Sequence, residues 1–337
     1  MIQEAIAKLI QRQDLDRTEA ASAMSDLMSG AATPAQIGAF LVALQMKGET
    51  VGEIAGLAQV MREFATRVST QRRPLVDTCG TGGDHSGTFN ISTTAAFVVA
   101  GAGVGVAKHG NRSATSRCGS ADVLEALGVD ISASPDCVGQ CIDDVGIGFL
   151  FARTLHGAMK HVAPARAELK VRTVFNILGP LTNPAGACGQ VMGVFDARLV
   201  ESLARVLTDL GTRHAFVVAG SDGLDELTLD GPSYVAEAKG GEVRTYEVRP
   251  EELGLGRAPK EALVGGDAAE NARLLRGVLE GEQGPRREVV LLNAAPAIVA
   301  GQGASDWREG IEVAAGSVDS GAAIEKLEAL VRRSHDS

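Results

Sequence analysis

Apolar residues recur at helical spacing from the start of the chain. Ile2, Ile6, Leu9 and Ile10 form one stripe, and Met24, Leu27 and Met28 form a second that stops before Gly30. Thr33-Pro34 combines an N-cap with a proline at the first helical position, ahead of Ile37, Phe40, Leu41 and Leu44. Thr50-Val-Gly-Glu53 has capping-box spacing and opens onto Ile54, Leu57, Met61 and Phe64. Four short helices without an intervening strand predict a small all-helical domain over residues 1–70.

From about residue 74 the texture becomes strand, glycine turn, helix. Leu75-Val76, Val104–Ala107, Ile147–Phe151, Val191–Phe195 and Ala215–Ala219 read as strands. Ile91–Val99, Ala121–Leu127, a segment opened by Ser134-Pro135, and Leu199–Leu210 read as the helices between them. This alternation predicts an α/β domain over 71–337 with a mostly parallel sheet flanked by helices. The stretch 161–184 has helical and loop character and is expected to pack back on the first domain. Residues 228–248 carry hairpin signals at Asp230-Gly231 and Gly240-Gly241. Helices follow over Ala268–Glu280 and Ile324–Val331, with one further strand expected at Val289–Leu292.

Composition narrows the possible functions. At 45% hydrophobic over 337 residues, the chain can bury a large core and is not disordered. A net charge of −10 with one Trp and two Tyr argues against nucleic acid, which needs clustered cations and stacking rings. No apolar run approaches the length of a membrane span. The opening MIQEAIAKLIQRQD reads as an amphipathic helix rather than a secretory signal. Five cysteines without a CxxC pair suit a reducing, cytoplasmic location better than a disulfide framework or zinc ribbon. The charge is uneven: residues 71–190 are nearly neutral and contain all five cysteines and four of the six histidines, while the acidic excess lies elsewhere. Chemistry is expected in that near-neutral third.

Three clusters there and beyond it fit an anion site. Asp77-Thr-Cys-Gly-Thr-Gly-Gly-Asp84 lies between a predicted strand and a helix, where glycine N–H groups and a helix N-terminus favour phosphate. It is neither common nucleotide motif, because Asp84-His85 stands where a P-loop has Lys-Ser/Thr and His85 where a dinucleotide fingerprint has glycine. Asn90-Ile-Ser92-Thr93 adds an amide and two hydroxyls in the first turn of the next helix. Lys108-His-Gly-Asn-Arg-Ser-Ala-Thr-Ser116, with Cys118-Gly119-Ser120 behind it, collects cations and short polar side chains suited to a sugar phosphate or pyrophosphate. The third cluster, Ser221-Asp-Gly-Leu-Asp225-Glu226, places adjacent carboxylates after a strand, and such a pair beside phosphate points to magnesium. Cys79 reads as a small buried filler.

These clusters resemble the anthranilate phosphoribosyltransferase family. DTCGTGGD, NIST, KHGNRS, GSADVLEALG, RTVFNILGPLTNPA, DGLDE and NAAPAIVAG appear in the family's order over nearly the whole chain. The resemblance implies transfer of phosphoribosyl from its 1-diphosphate to the amine of anthranilate, in tryptophan biosynthesis, by a cytoplasmic homodimer using two magnesium ions per site. It further implies that Gly80, Gly83, Asp84 and Thr88 line the pyrophosphate. Asn90, Ile91, Ser92 and Thr93 would hold phosphate, and Lys108, Gly110, Asn111, Arg112, Ser113, Ala114, Thr115 and Ser116, with Ser120, would wrap the phosphoribosyl group. Ser92, Asp225 and Glu226 would bind metal, and Gly80, His109, Asn111, Arg166, Gly179 and Pro180 would meet the acceptor. A guanidinium such as that of Arg166 suits a planar carboxylate. No catalytic base is implied, because the acceptor amine is already neutral. The chain departs from the family where its FAPxxHPAMK segment reads FARTLHGAMK, with Arg153 and Gly157 replacing prolines near the acceptor channel. Other readings of the same architecture are a pyrimidine nucleoside phosphorylase-like enzyme and a non-catalytic nucleic-acid-binding relative.

Overall fold

The computed structural model describes residues 1–113 and 117–336. The chain opens with α1 (Ile2–Ile10), α2 (Arg17–Met28), α3 (Pro34–Lys47) and α4 (Val51–Phe64). Local sequence starts three of them: Asp16, Thr33 and Thr50 each cap through the reciprocal box, with Glu19, Gln36 and Glu53 at the third helical position. Gly56 lets α2 and α4 touch, because a Cβ there would lie 2.4 Å from the Arg17 carbonyl oxygen. The helices close over Met24, Leu27, Ile37, Phe40, Leu41, Leu44, Ile54 and Leu57, all fully buried.

The rest of the chain builds a seven-stranded sheet in the order β3-β2-β1-β4-β5-β6-β7. Its strands are β1 (Leu75–Gly80), β2 (Gly105–Gly110), β3 (Ile147–Phe151), β4 (Gly189–Gly193), β5 (His214–Gly220), β6 (Ser233–Lys239) and β7 (Glu242–Val248). The first five in space run parallel, and the β6–β7 hairpin adds an antiparallel edge. The expectation of a helical domain plus a mostly parallel, helix-flanked sheet is therefore borne out. The chain leaves β1 for β2 on one side and later returns to β4 on the other. The ends of β1 and β4 thus form a topological switch point, where such sheets hold ligands.

One face of the sheet carries α5 (Ile91–Gly101) and, toward β3, α6 (Ser120–Ala126) and α7 (Pro135–Asp144). Short helices α8 (Ala152–Leu155), α9 (Ala163–Leu169) and α10 (Phe175–Leu178) follow β3. Val162, Ala165, Val174, Phe175, Ile177 and Leu178 from this segment share one apolar cluster with the first four helices. That cluster continues through α11 (Val200–Asp209) onto the face of β4 and β5. The chain ends in α12 (Ala268–Leu279), α13 (Pro285–Ala300), α14 (Trp307–Asp319) and α15 (Ala322–Ser334). No helix among the described residues is long and apolar enough to cross a membrane.

Two expectations change. Val289–Leu292 is not a strand but the second turn of α13. Every residue of α13 from Val289 to Ala300 is buried, so the apolar run has no polar face to betray a helical period. The second strand runs to Gly110, because His109 and Gly110 still pair with Leu150 and Phe151 of β3. Lys108 and His109 therefore sit in the strand rather than in the loop after it.

Candidate functional site

The site forms where the turn after β5 is pressed onto the ends of β1 and β4. A Cβ at Gly193 would lie 1.7 Å from the Asp225 carbonyl oxygen, and one at Gly80 would lie 2.5 Å from Asp225 Oδ2. Only glycine admits this approach. The turn is held from behind by Asn293 on α13, whose amide accepts from Leu227 N at 2.9 Å and donates to Leu227 O at 3.0 Å. Nothing in the sequence linked this asparagine to the turn 66 residues earlier.

The glycine loop curls over that turn. Gly82 and Gly83 have φ of +65° and +79°, a left-handed pair that favours glycine. Thr81 N donates to Gly193 O at 2.9 Å, Phe195 N donates to Thr81 Oγ1 at 3.3 Å, and Gly82 N donates to Asp225 Oδ2 at 2.7 Å. The Gly83 carbonyl accepts from Arg172. Asp84 Oδ1 accepts from Ser86 N at 3.2 Å, whereas its Oδ2 is buried without a partner. Thr88 meets Val264 in an isolated bridge, and its hydroxyl lies 3.2 Å from that of Ser86.

At the start of α5, Asn90 makes no side-chain cap to its own helix and instead accepts from Asn271 on α12 at 2.9 Å. The first turn therefore keeps free N–H donors, and Ser92 N gives one to Glu226 Oε1 at 3.1 Å. Ile91 and Thr93 are buried at 1% exposure, and Ile91 N already donates to Phe89 O at 2.8 Å, so of the two only Thr93 has a peptide N–H to offer a ligand. Asp225 and Glu226 are thus anchored to the glycine loop and to a helix N-terminus respectively. Burial, reinforced by the Asp84 and Glu226 carboxylates, holds Asp225 well above the usual carboxylate range. Burial likewise pushes Glu226 up to about 7, although the Lys108 ammonium opposes it.

Alternation along β2 sends Lys108 and His109 to opposite sides. Lys108 is 3% exposed and donates to Thr78 O at 2.5 Å, beneath the strand ends, with its charge facing Asp77 and Glu226. It therefore balances buried carboxylates and is not a free cation at the crevice surface. His109 faces His156, with their Nε2 atoms 3.2 Å apart, and bonds the backbone of Gly179. Burial lowers His109 to about 3 and His156 to about 4, so both rings are neutral. The strand end is braced by Asp77, which accepts from His109 N at 3.0 Å and from Asn183 Nδ2 at 2.8 Å. Beside Gly179, Gln190 Nε2 donates to Pro180 O at 2.6 Å and fixes the wall that Gly179 and Pro180 form.

Arg166, on α9, lies half-buried over the Phe175 ring at 4.9 Å, with no carboxylate in ion-pair range among the described residues. Arg112 is differently placed, paired with Asp122 and Glu125 of the α6 region at 2.8 Å each. Asp122 also receives Ser113 N and Gly119 N, while Asn111 N and Ser120 Oγ bond at 3.1 Å across the crowded Gly110. Ala114, Thr115 and Ser116 lie outside the described residues. Arg153 and Gly157 are exposed and flank the buried His156. Cys79 is buried and receives a hydrogen bond from Gln190. His156, Arg172, Asn183, Gln190, Asn271 and Asn293 were not singled out from sequence. Of these, Arg172 and Asn183 fall in the RTVFNILGPLTNPA run, Asn293 in NAAPAIVAG and His156 in FARTLHGAMK, while Gln190 and Asn271 had no nearby signal.

A switch-point crevice with helix N–H donors, a glycine loop and two anchored carboxylates defines an enzyme that handles a phosphorylated donor. Residues 72–324 match the a/b domain of the glycosyl transferase family and residues 3–65 its helical bundle domain. The anthranilate phosphoribosyltransferase of Symbiobacterium thermophilum is 58% identical over 330 residues, covering 98% of this chain and 97% of that protein. The crystal structure of anthranilate phosphoribosyltransferase from Thermus thermophilus superposes with a TM-score of 0.94 at 49% identity, covering 98% of this chain and 99% of that one. The Saccharomyces cerevisiae enzyme in complex with PRPP and Mg matches with a TM-score of 0.89 at 29% identity, covering 100% of this chain and 98% of that one. The chain belongs to the anthranilate phosphoribosyltransferases of the glycosyl transferase family.

The His109–His156 pair has a pH signature. Free histidine protonates near about 6.5, and both folded values are depressed, so neither ring should titrate between about pH 8 and pH 5. Stability attached to the pair is complete above about 6.5 and is lost as pH falls below it, where the unfolded chain binds protons that the buried rings do not. Flat Cε1–H resonances across that window are the expected NMR result, and an inflection near about 6 in either ring contradicts it.

Proposed function

We propose that the crevice above β1 and β4 holds 5-phosphoribosyl 1-diphosphate and that anthranilate approaches past His109, Arg166 and the Gly179-Pro180 wall. The chain transfers the phosphoribosyl group to the anthranilate amine, giving N-(5-phosphoribosyl)anthranilate and pyrophosphate, a step of tryptophan biosynthesis. The observation that carries the site reading is the anchoring of Asp225 to Gly82 N and of Glu226 to Ser92 N, which sets two carboxylates against a phosphate-binding loop and helix end.

Magnesium fits this donor set. Asp84 Oδ2 is buried without a donor, and Asp225 and Glu226 are held above the usual carboxylate range by burial, with the Asp84 carboxylate adding to it. Magnesium typically takes one or two carboxylates and completes its shell with water and substrate oxygens. Ser92, Asp225 and Glu226 would hold two such ions per site. Magnesium when bound neutralises the diphosphate and stabilises it as a leaving group.

The residues of the chain do the rest. Gly80, Gly83, Asp84, Thr88 and the Asn90–Thr93 turn orient the diphosphate and 5-phosphate, and Gly110, Asn111, Arg112 and Ser113 with Ser120 enclose the ribose. Lys108 offsets the charge of Glu226 from below. Arg166 takes the anthranilate carboxylate, its stacking on Phe175 fixing the plane of the fork. The acceptor amine arrives neutral. Rings with values near 3 and 4 are poor bases at neutral pH, so the His109–His156 pair lines the acceptor side without taking its proton.

A homodimer through the helical domain is part of the same reading. Ile10 and Met46 are each 70% exposed, on α1 and α3. Light scattering should give twice the chain mass, and a monomer would contradict this. The reaction is tested by the fall in anthranilate fluorescence when 5-phosphoribosyl 1-diphosphate and magnesium are added. Phosphorolysis of uridine in place of that reaction would overturn the reading. Arg166→Ala should raise the KM for anthranilate by about tenfold and leave that for the donor nearly unchanged; a purely donor-side effect removes the acceptor assignment. Asp225→Asn with Glu226→Gln should weaken magnesium-dependent donor binding by at least roughly tenfold, and an unaltered magnesium dependence removes the metal role.

A further inference from the structure

The glycine loop is tied down at consecutive peptide groups, and among the described residues all but one of the ties come from the end of β4 and the turn after β5. Thr81 is held by Gly193 and Phe195 at the end of β4, and Gly82 by Asp225. The exception is the Gly83 carbonyl, which accepts from the Arg172 guanidinium. Arg172 lies between α9 and α10, in the segment whose Val174, Phe175, Ile177 and Leu178 are built into the apolar cluster of the N-terminal helices. Its guanidinium carbon sits 4.1 Å from the centroid of the Phe195 ring, so the planar group rests on the same residue whose N–H holds Thr81. Gly83 presses against it: a Cβ there would stand 3.3 Å from Arg172 Nη2.

Arg172 is exposed, and no carboxylate lies within ion-pair distance of it among the described residues. A guanidinium has five donors in a rigid plane, and the stack on Phe195 fixes that plane. In a trans peptide the carbonyl and the following N–H point in opposite directions. A hydrogen bond to Gly83 O therefore also sets the direction of the Asp84 N–H, at the residue whose free carboxylate oxygen borders the donor site. Lys108 cannot do this, being buried under the strand ends. The α9–α10 segment thus carries two arginines, each lying on a phenylalanine: Arg166 on Phe175 toward the acceptor and Arg172 on Phe195 toward the glycine loop.

We propose that Arg172 is a positioning residue for the phosphoribosyl donor: stacked on Phe195, it clamps the Gly83 carbonyl, orders the 81–84 loop for the diphosphate, and links that loop to the helical domain. This rests on the donor site proposed above. Its role is distinct from that of Arg166, since it acts through the loop and not on the acceptor.

The test compares the full-length protein with Arg172→Gln, Arg172→Lys and Phe195→Leu. Calorimetry with magnesium and 5-phosphoribosyl 1-diphosphate should show donor affinity falling about tenfold in Arg172→Gln, with the anthranilate KM within about twofold of the parent. Arg172→Lys should recover only a minor part, because a point charge neither stacks nor fixes a plane. Without any substrate, amide hydrogen exchange over residues 82–86 should quicken in Arg172→Gln. Phe195→Leu keeps an apolar side chain and should shift donor affinity and exchange in the same direction, which decides the matter if the arginine variants fold poorly. Donor affinity and loop exchange both unchanged in Arg172→Gln, or full recovery by lysine, would overturn the proposal. If the parent protein itself fails to bind the donor, the functional reading falls, while the exchange comparison still reports separately on the clamp.

Discussion

Everything at this site depends on how closely the Asp225-Glu226 turn approaches the ends of β1 and β4. Gly80 and Gly193 are the two positions that permit it, and neither could carry a Cβ without displacing Asp225. The close approach brings Asp225 to Gly82 N and Glu226 to Ser92 N. A glycine loop, a helix N-terminus and two carboxylates, from parts of the sequence far apart, then act on the same small volume. Asn293 secures the arrangement from the buried α13, using both ends of its amide on Leu227. The core helix therefore supports the active turn directly.

The electrostatics follow from that geometry. A chain of net charge −10 is a poor match, overall, for two anionic substrates. Locally, however, burial holds Asp225 and Glu226 above the ordinary carboxylate range, and Lys108 sits beneath them. Net charge bears on long-range attraction to polyanions; it says little about a crevice a few ångströms across, where oriented N–H groups and a bound cation dominate. The pleat of one strand sends two neighbouring residues to opposite sides. Lys108 faces the buried carboxylates, and His109 faces His156 and the Gly179-Pro180 wall.

Much of this was legible in the sequence because it is local. The Thr33-Pro34 N-cap, the capping box at Thr50 and glycines at strand ends are short-range rules, and they start helices and turns where they should. The DTCGTGGD, NIST and DGLDE runs are also the stretches that the fold brings together at the ends of β1 and β4. Val289–Leu292 misled because a helix buried on all sides and a buried strand both appear as unbroken apolar runs. Lys108 was grouped with the loop residues that follow it, whereas strand pairing extends through Gly110 and buries it.

The sequence by itself determined the two kinds of architecture, most of the element order and the family. These depend on periodicity and on residue types within a few positions of one another. Only the tertiary structure decided that Asp84 keeps a buried oxygen without a donor, that the His109–His156 pair is neutral, that Asn293 props the active turn, and that Arg172 reaches across to Gly83. Each joins residues between 47 and 89 positions apart or depends on how completely a group is removed from water. Such distances and burial are set when the sheet closes and the α9–α10 segment docks, and no local pattern encodes them.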